Sequence, residues 1–137
     1  MRMSFISLLF LTTLFFPMET NNKGTEMEFY DVTDVIATTY TPSEKETDST
    51  PLITASGFKI NPKNPKKHRI IAVSRDLKKR YPFGSKVKIK GLGKKYDGVY
   101  KVEDVMHSRW RKKIDILINK KDRLFKKRKV VITPIKK

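Results

Sequence analysis

The run at residues 114–118 constrains this chain most. Ile114, Ile116 and Ile118 alternate with Asp115, Leu117 and Asn119. A strand turns successive side chains to opposite faces. The run therefore predicts a strand with three isoleucines on a core face and Asp115 on the other. A second alternating run, residues 99–103, ends at Asp104. If the two runs pair as an antiparallel hairpin, the loop 105–113 brings Asp104 close to Asp115. Two carboxylates at one end of a hairpin are a starting point for acid–base chemistry on sugars. Two solvated strand-end acids give the same pattern.

The rest of the chain reads as more short strands. Residues 35–40 (VIATTY) are β-branched and aromatic, and Thr41-Pro42 ends them. Residues 43–51 are a polar, acidic loop. Residues 53–60 (ITASGFKI) predict a second strand, with Gly57 marking a bulge. Two Asn-Pro steps make 61–67 a turn. Residues 69–73 are a largely buried strand. Ser74 then caps a short helix, with Asp76 in its first turn, and Pro82 limits that helix to about two turns. Residues 86–90 (KVKIK) alternate strictly, with Val87 and Ile89 inward. Residues 120–129 are polar, and 130–135 form a last strand. About seven short strands punctuated by Gly and Pro argue for a small all-β barrel or sandwich.

The length of 137 residues leaves room for one domain. There is no cysteine, and His68 and His107 stand in no ligand-spaced cluster. No metal and no cofactor are expected. Residues 1–17 carry Arg2 and then a nearly unbroken apolar run. Its dozen or so apolar residues suit a signal peptide and fall short of the roughly 20 that span a bilayer. An uncleaved N-terminal anchor is the rival reading. Residues 18–28 read as a linker and 29–137 as the folded domain. Export to the periplasm, wall or exterior follows, with membrane contact only through the N-terminal segment.

Charge divides the chain. Residues 1–67 hold 7 Lys and Arg against 8 Asp and Glu, while residues 68–137 hold 24 against 6, a net of +18. Such asymmetry points to a polyanionic partner: nucleic acid, an anionic wall, or a membrane surface. A solvated basic surface with no dedicated partner gives the same asymmetry. The sequence has no recognition helix and no aromatic RNA-binding strand motif, and nucleic acid conflicts with an export signal. No nucleic-acid partner is expected, and the protein is expected to be a monomer.

Six segments in order resemble one known family. They are ATTYTP (37–42), Asp48 with TASG (54–57), IAVSRDL (71–77), PFGSKVKI (82–89), DGVYKVED (97–104) and KIDILI (113–118). Together they resemble the three-aspartate (3D) domain. That domain is similar to the catalytic barrel of membrane-bound lytic transglycosylase A and the stationary-phase muralytic enzymes, and more distantly to rare lipoprotein A and the expansins. The resemblance implies a six-stranded double-psi β-barrel with at most one or two short helices. It also implies cleavage of peptidoglycan glycan strands between MurNAc and GlcNAc to a 1,6-anhydro product. Asp104 and Asp115 match two of the family's aspartates. The third usually sits in an AVD segment; here it reads AVS, with Ser74 in place, and Asp76 is expected to take the role. The family's small-residue turn after "ED" is replaced by a bulkier, more basic stretch containing Trp110.

In that chemistry one carboxyl suffices. It protonates the glycosidic oxygen, then accepts the proton of the sugar's own 6-hydroxyl as that oxygen attacks the anomeric carbon. Asp115 is the expected acid, with Asp104 beside it. Thr38, Tyr40, Thr54 and Ser56 come from segments that line the family's groove, and Trp110 and Arg111 are further expected glycan contacts. Anionic wall polymers are the expected partners of the basic half. The alternative functions are a non-catalytic, expansin-like glycan-binding module and a basic nucleic-acid-binding domain.

Overall fold

The computed structural model describes residues 32–43 and 49–136. The expected leader (1–17), linker (18–28) and Asp48 lie outside the described residues. Among the described residues, no helix is long and apolar enough to cross a membrane.

Six strands close into one barrel. They are β1 (Thr33–Tyr40), β2 (Ile70–Val73), β3 (Lys86–Lys90), β4 (Gly98–Val105), β5 (Lys113–Leu117) and β6 (Lys126–Pro134). Around the barrel the order is β1-β5-β2-β4-β3-β6. Pairs β1/β5 and β2/β4 are parallel; the other four are antiparallel. This closed, mixed six-stranded barrel is the small all-β barrel that was expected.

Alternation builds the interior. Val35 and Ala37, Ile71 and Val73, Val87 and Ile89, Tyr100 and Val102, Ile114 and Ile116, and Val130 and Ile132 all point inward into one core. Ile118 joins them. Each such fully buried aliphatic side chain stabilises the barrel by about 1.5–3 kcal/mol.

Strand β2 is buried at all four positions. Ile71 and Val73 face the core, while Ile70 and Ala72 face a second apolar cluster outside the barrel, with Tyr40, Ile60, Met106 and Leu117. A strand apolar on both faces needs cover on both, as in parallel sheets. It therefore sits between β4 and β5. This overturns the expected hairpin of residues 99–103 with 114–118, since β2 separates the two.

Other expectations are corrected. The strand foreseen at 53–60 is a tight loop with a single bridge, Ile53 to Lys59. Thr54 N–H donates to Phe58 O at 2.9 Å, and Gly57 N–H to Thr54 O at 2.9 Å. Gly57, at φ +86°, makes a turn rather than a bulge. Among the described residues the strand count is accordingly six, not seven. The last strand starts earlier than foreseen, at Lys126, because β1 pairs with it from Thr38 onward. The helix α1 (Arg75–Lys78) is a single turn.

Candidate active site

The groove lies on the outer face of β1, β5, β2 and β4. Its floor follows from register. Ala72 of β2 stands opposite Asp115 on one side and Asp104 on the other. Both carboxylates therefore leave the same face of the barrel wall, with their Cα atoms two strand spacings apart, about 10 Å.

Strict alternation would not put Asp104 there. Tyr100 and Val102 point inward, so Asp104 would follow them into the core. The β2/β4 register shifts between Ile71 and Ala72: Ile71 faces Val102, but Ala72 faces Asp104. The additional residue is Glu103. Such a bulge re-aims the side chains beyond it. Here it turns both Glu103 and Asp104 outward.

Three donors hold Asp104. Ala55 N–H reaches Oδ1 at 3.1 Å, Val105 N–H reaches Oδ1 at 2.9 Å, and the Tyr40 hydroxyl reaches Oδ2 at 3.3 Å. Tyr40 is 5% exposed. Burial first, then the Asp104 and Asp115 carboxylates, push its phenol well above the ordinary value. It stays a donor at any working pH, between the two acids.

Asp115 sits in β5 beside Thr38 of β1. Its Oδ1 is a buried atom. Two residues earlier on the same face, the Lys113 Nζ lies 3.4 Å from the centre of the Trp110 ring. Burial, then nearby Lys126, lower the pKa of Lys113; Asp115 opposes them and Arg109 adds to them. The Arg109 guanidinium lies 4.8 Å from the same ring. Trp110 is thus fixed by two cations, each worth roughly 0.5–2 kcal/mol.

Tyr40, Asp104, Asp115, Arg109 and Trp110 border one cavity of about 580 Å³, which also reaches Ile53, Ala55, Met106, His107 and Arg75. That volume is ordinary for a ligand site. Acids lie at its floor, cations and an indole at its rim.

Of the expected residues, Asp104, Asp115, Tyr40 and Trp110 meet in this cavity. The others do not line it. Thr38 Oγ1 donates to Ile114 O at 3.4 Å. Thr54 Oγ1 bonds Ser56 Oγ at 2.9 Å and accepts from Phe58 N–H at 3.0 Å, shaping the turn. Ser56 donates its hydroxyl to Glu103 Oε2, and its N–H to Glu103 O at 3.1 Å. Glu103 is buried and paired with Lys101 at 2.9 Å. Thr54 and Ser56 thus fasten the loop that presents Ala55 N–H.

Asp76 lies on the surface outside the cavity. Its Oδ2 accepts from Lys112 N–H at 3.0 Å. Burial works the other way, but hydrogen bonds from Ser74 and Lys112 and the charge of Arg111 hold its carboxyl below the usual range. Asp76 clamps the 109–112 loop, and Arg111 stands with it rather than in the groove. Ser74 is fully buried, and its Oγ accepts from Lys113 N–H at 3.1 Å.

Sequence reading missed Ala55, Arg75 and His107 as lining residues. Arg109 and Lys113 flank Asp115 in the sequence, and Lys113 also shares strand parity with it. The Ala55 contact carried no signal, since any residue but proline supplies the same N–H.

Compared with known proteins, the chain matches no protein-family model. No curated protein matches it at a significant level either.

Proposed function

We propose that the protein is an exported peptidoglycan-lytic transglycosylase of the three-aspartate type, cutting MurNAc–GlcNAc linkages to 1,6-anhydro products. The observation that carries this reading is the convergence of Asp104, Asp115 and the protonated Tyr40 on one open groove edged by Trp110.

The mechanism uses Asp115 twice. Its carboxyl proton goes to the glycosidic oxygen as the bond from that oxygen to C1 breaks. The C6 hydroxyl oxygen then bonds to C1, and its proton returns to the Asp115 carboxylate. No water enters and the acid is regenerated. Asp104, fixed by three donors, supplies negative charge to the cationic ring of the transition state. Tyr40 holds Asp104 in place. Trp110 offers a flat apolar surface to a sugar ring. Arg75 and Arg109 at the rim suit the carboxylates of peptide stems.

One observation favours the second reading, a glycan-binding barrel without catalysis. Lys113 stands close enough to Asp115 to interact with it. An ammonium beside a carboxyl favours the charged form, which delivers no proton.

Digestion of purified sacculi in heavy-oxygen water separates the readings. The transglycosylase reading requires soluble muropeptides with anhydro ends and no heavy oxygen. A hydrolase would incorporate the label at the new reducing end. Sacculi that bind the protein but stay intact support the binding module.

A further inference from the structure

We propose that the barrel carries a second, separate site for a linear polyol phosphate polymer, on the outer face of β3 and β6. This face lies across the barrel from the carboxylate groove, because β3 and β6 follow β4 in the closed order and the groove occupies β1, β5, β2 and β4. The proposal rests on the wall-directed reading for the identity of the polymer only; the site itself does not depend on catalysis in the groove.

Strand β3 alternates without exception: Val87 and Ile89 are buried, and Lys86, Lys88 and Lys90 are exposed. Lysines two apart on an antiparallel strand are about 6.8 Å apart. They form a straight row of point charges. Lys88 and Lys90 border a cavity of about 670 Å³ together with Lys136, Val32, Val131 and Ile135. Three cations enter this cavity, and among the described residues no acid lines it. Thr133, opposite Lys88 on β6, adds a hydroxyl to the same face. Among the described residues, the acid nearest in register is Asp34 of β1, opposite Val131 and outside the cavity lining.

Repeat length selects the partner. Three backbone bonds of an extended chain, one residue, span about 3.3–3.6 Å. A three-carbon polyol phosphate has twice as many backbone bonds per repeat, so its phosphates recur about every 7 Å when extended. That matches the lysine row. A nucleotide has the same backbone repeat, but its bases need aromatic platforms. The described residues lining this cavity include none; Val32, Val131, Pro134 and Ile135 instead cover aliphatic surface. Short carbon units between phosphates fit such walls, and bases do not. Lysine suits this task as a point charge for phosphate.

The test measures binding of the folded protein to synthetic poly(glycerol phosphate), to poly(dT) and to polyglutamate, all with equal charge number. Lys88→Gln with Lys90→Gln removes the two lysines of the row that border the cavity. Both side chains are exposed, so the fold is retained, which a circular dichroism melt verifies. The control is Lys79→Gln with Lys120→Gln, an equal charge change at exposed positions that do not line this cavity. The expected result is a loss of about tenfold or more in poly(glycerol phosphate) affinity for the first pair, against less than about threefold for the control. Equal losses for both pairs would mean a diffuse charge effect and overturn the site. Tighter binding of poly(dT) would assign the strip to nucleic acid, and tighter binding of polyglutamate would assign it to carboxylates; either result overturns the proposal. A protein that binds poly(glycerol phosphate) at the strip but releases no anhydro-sugars would retain this site while losing the catalytic reading.

Discussion

Asp104 and Asp115 face each other across a single residue, Ala72, from the two strands that flank it. The two strands are not paired with each other. The carboxylates are brought to one face by a third strand and by one bulge, and the groove follows from that arrangement.

Tyr40 should contribute to the alkaline decline of the fold. Its folded-state pKa lies well above the ordinary tyrosine value of 10.0. Below that value both folded and unfolded chains keep the proton, and the group adds no pH dependence. Above it the unfolded chain loses the proton first, so stability falls as pH rises. Tyr40→Phe should flatten this alkaline decline in melting temperature while costing about 1 kcal/mol at neutral pH, through the lost bond to Asp104. An unchanged alkaline slope in the variant would contradict the placement of Tyr40.

Asp76 should act on the loop and not on the chemistry. Its carboxyl is held below the usual range, so its contribution is present above an ordinary aspartate pKa and is lost as pH falls through the lowered value. Asp76→Asn should therefore soften the acid decline in stability. It should also raise KM through the Trp110 loop while leaving kcat within about tenfold, short of the loss expected for a general acid. A collapse of kcat with unchanged KM would return Asp76 to the catalytic set.

Much of the barrel was legible in the sequence. Val87 and Ile89, and Ile114, Ile116 and Ile118, state their faces by parity alone, and all five are buried. What parity cannot state is which strand lies beside which. Parallel neighbours β2 and β4 are joined through long connections, so no turn residue announces their pairing. The bulge at Glu103 was equally silent, because two consecutive acids after Val102 read as the end of a strand rather than as a turned face. At 53–60 the apolar and β-branched content suggested a strand. The Thr54 hydroxyl, bonded to Phe58 N–H, closes a turn there instead. Asp104 and Asp115 were singled out by type and spacing; two of the three donors to Asp104 are the backbone N–H groups of Ala55 and Val105, which no residue type announces.

Gly98 should resist substitution. It sits at φ +131°, and an added Cβ would lie 2.6 Å from Arg69 Nη2. That guanidinium donates to Asp97 O at 2.9 Å and lies 4.0 Å from the centre of the Tyr100 ring. Gly98→Ala should cost about 1–3 kcal/mol, from backbone strain and the displaced arginine. A denaturant melt checks this; a midpoint equal to the parent's would show that the turn relaxes freely.

Trp110 should matter to binding more than to stability. It is only partly buried, against the cluster outside the barrel. Trp110→Ala should weaken retention on sacculi by roughly tenfold, the scale of one aromatic stacking surface, and its melting temperature should fall modestly. Unweakened retention would remove the indole from the glycan path.

The central claim is that Asp115 delivers the proton. Asparagine is nearly isosteric and keeps hydrogen bonding, but it has no proton to give. The measurement is mass spectrometry of soluble products from purified sacculi, comparing the parent with a folded Asp115→Asn variant at matched bound amounts. The account predicts anhydro-muropeptides from the parent and about 10²–10⁴-fold fewer from the variant. Anhydro-muropeptides at the parent rate from Asp115→Asn, or none from the parent itself, would contradict it.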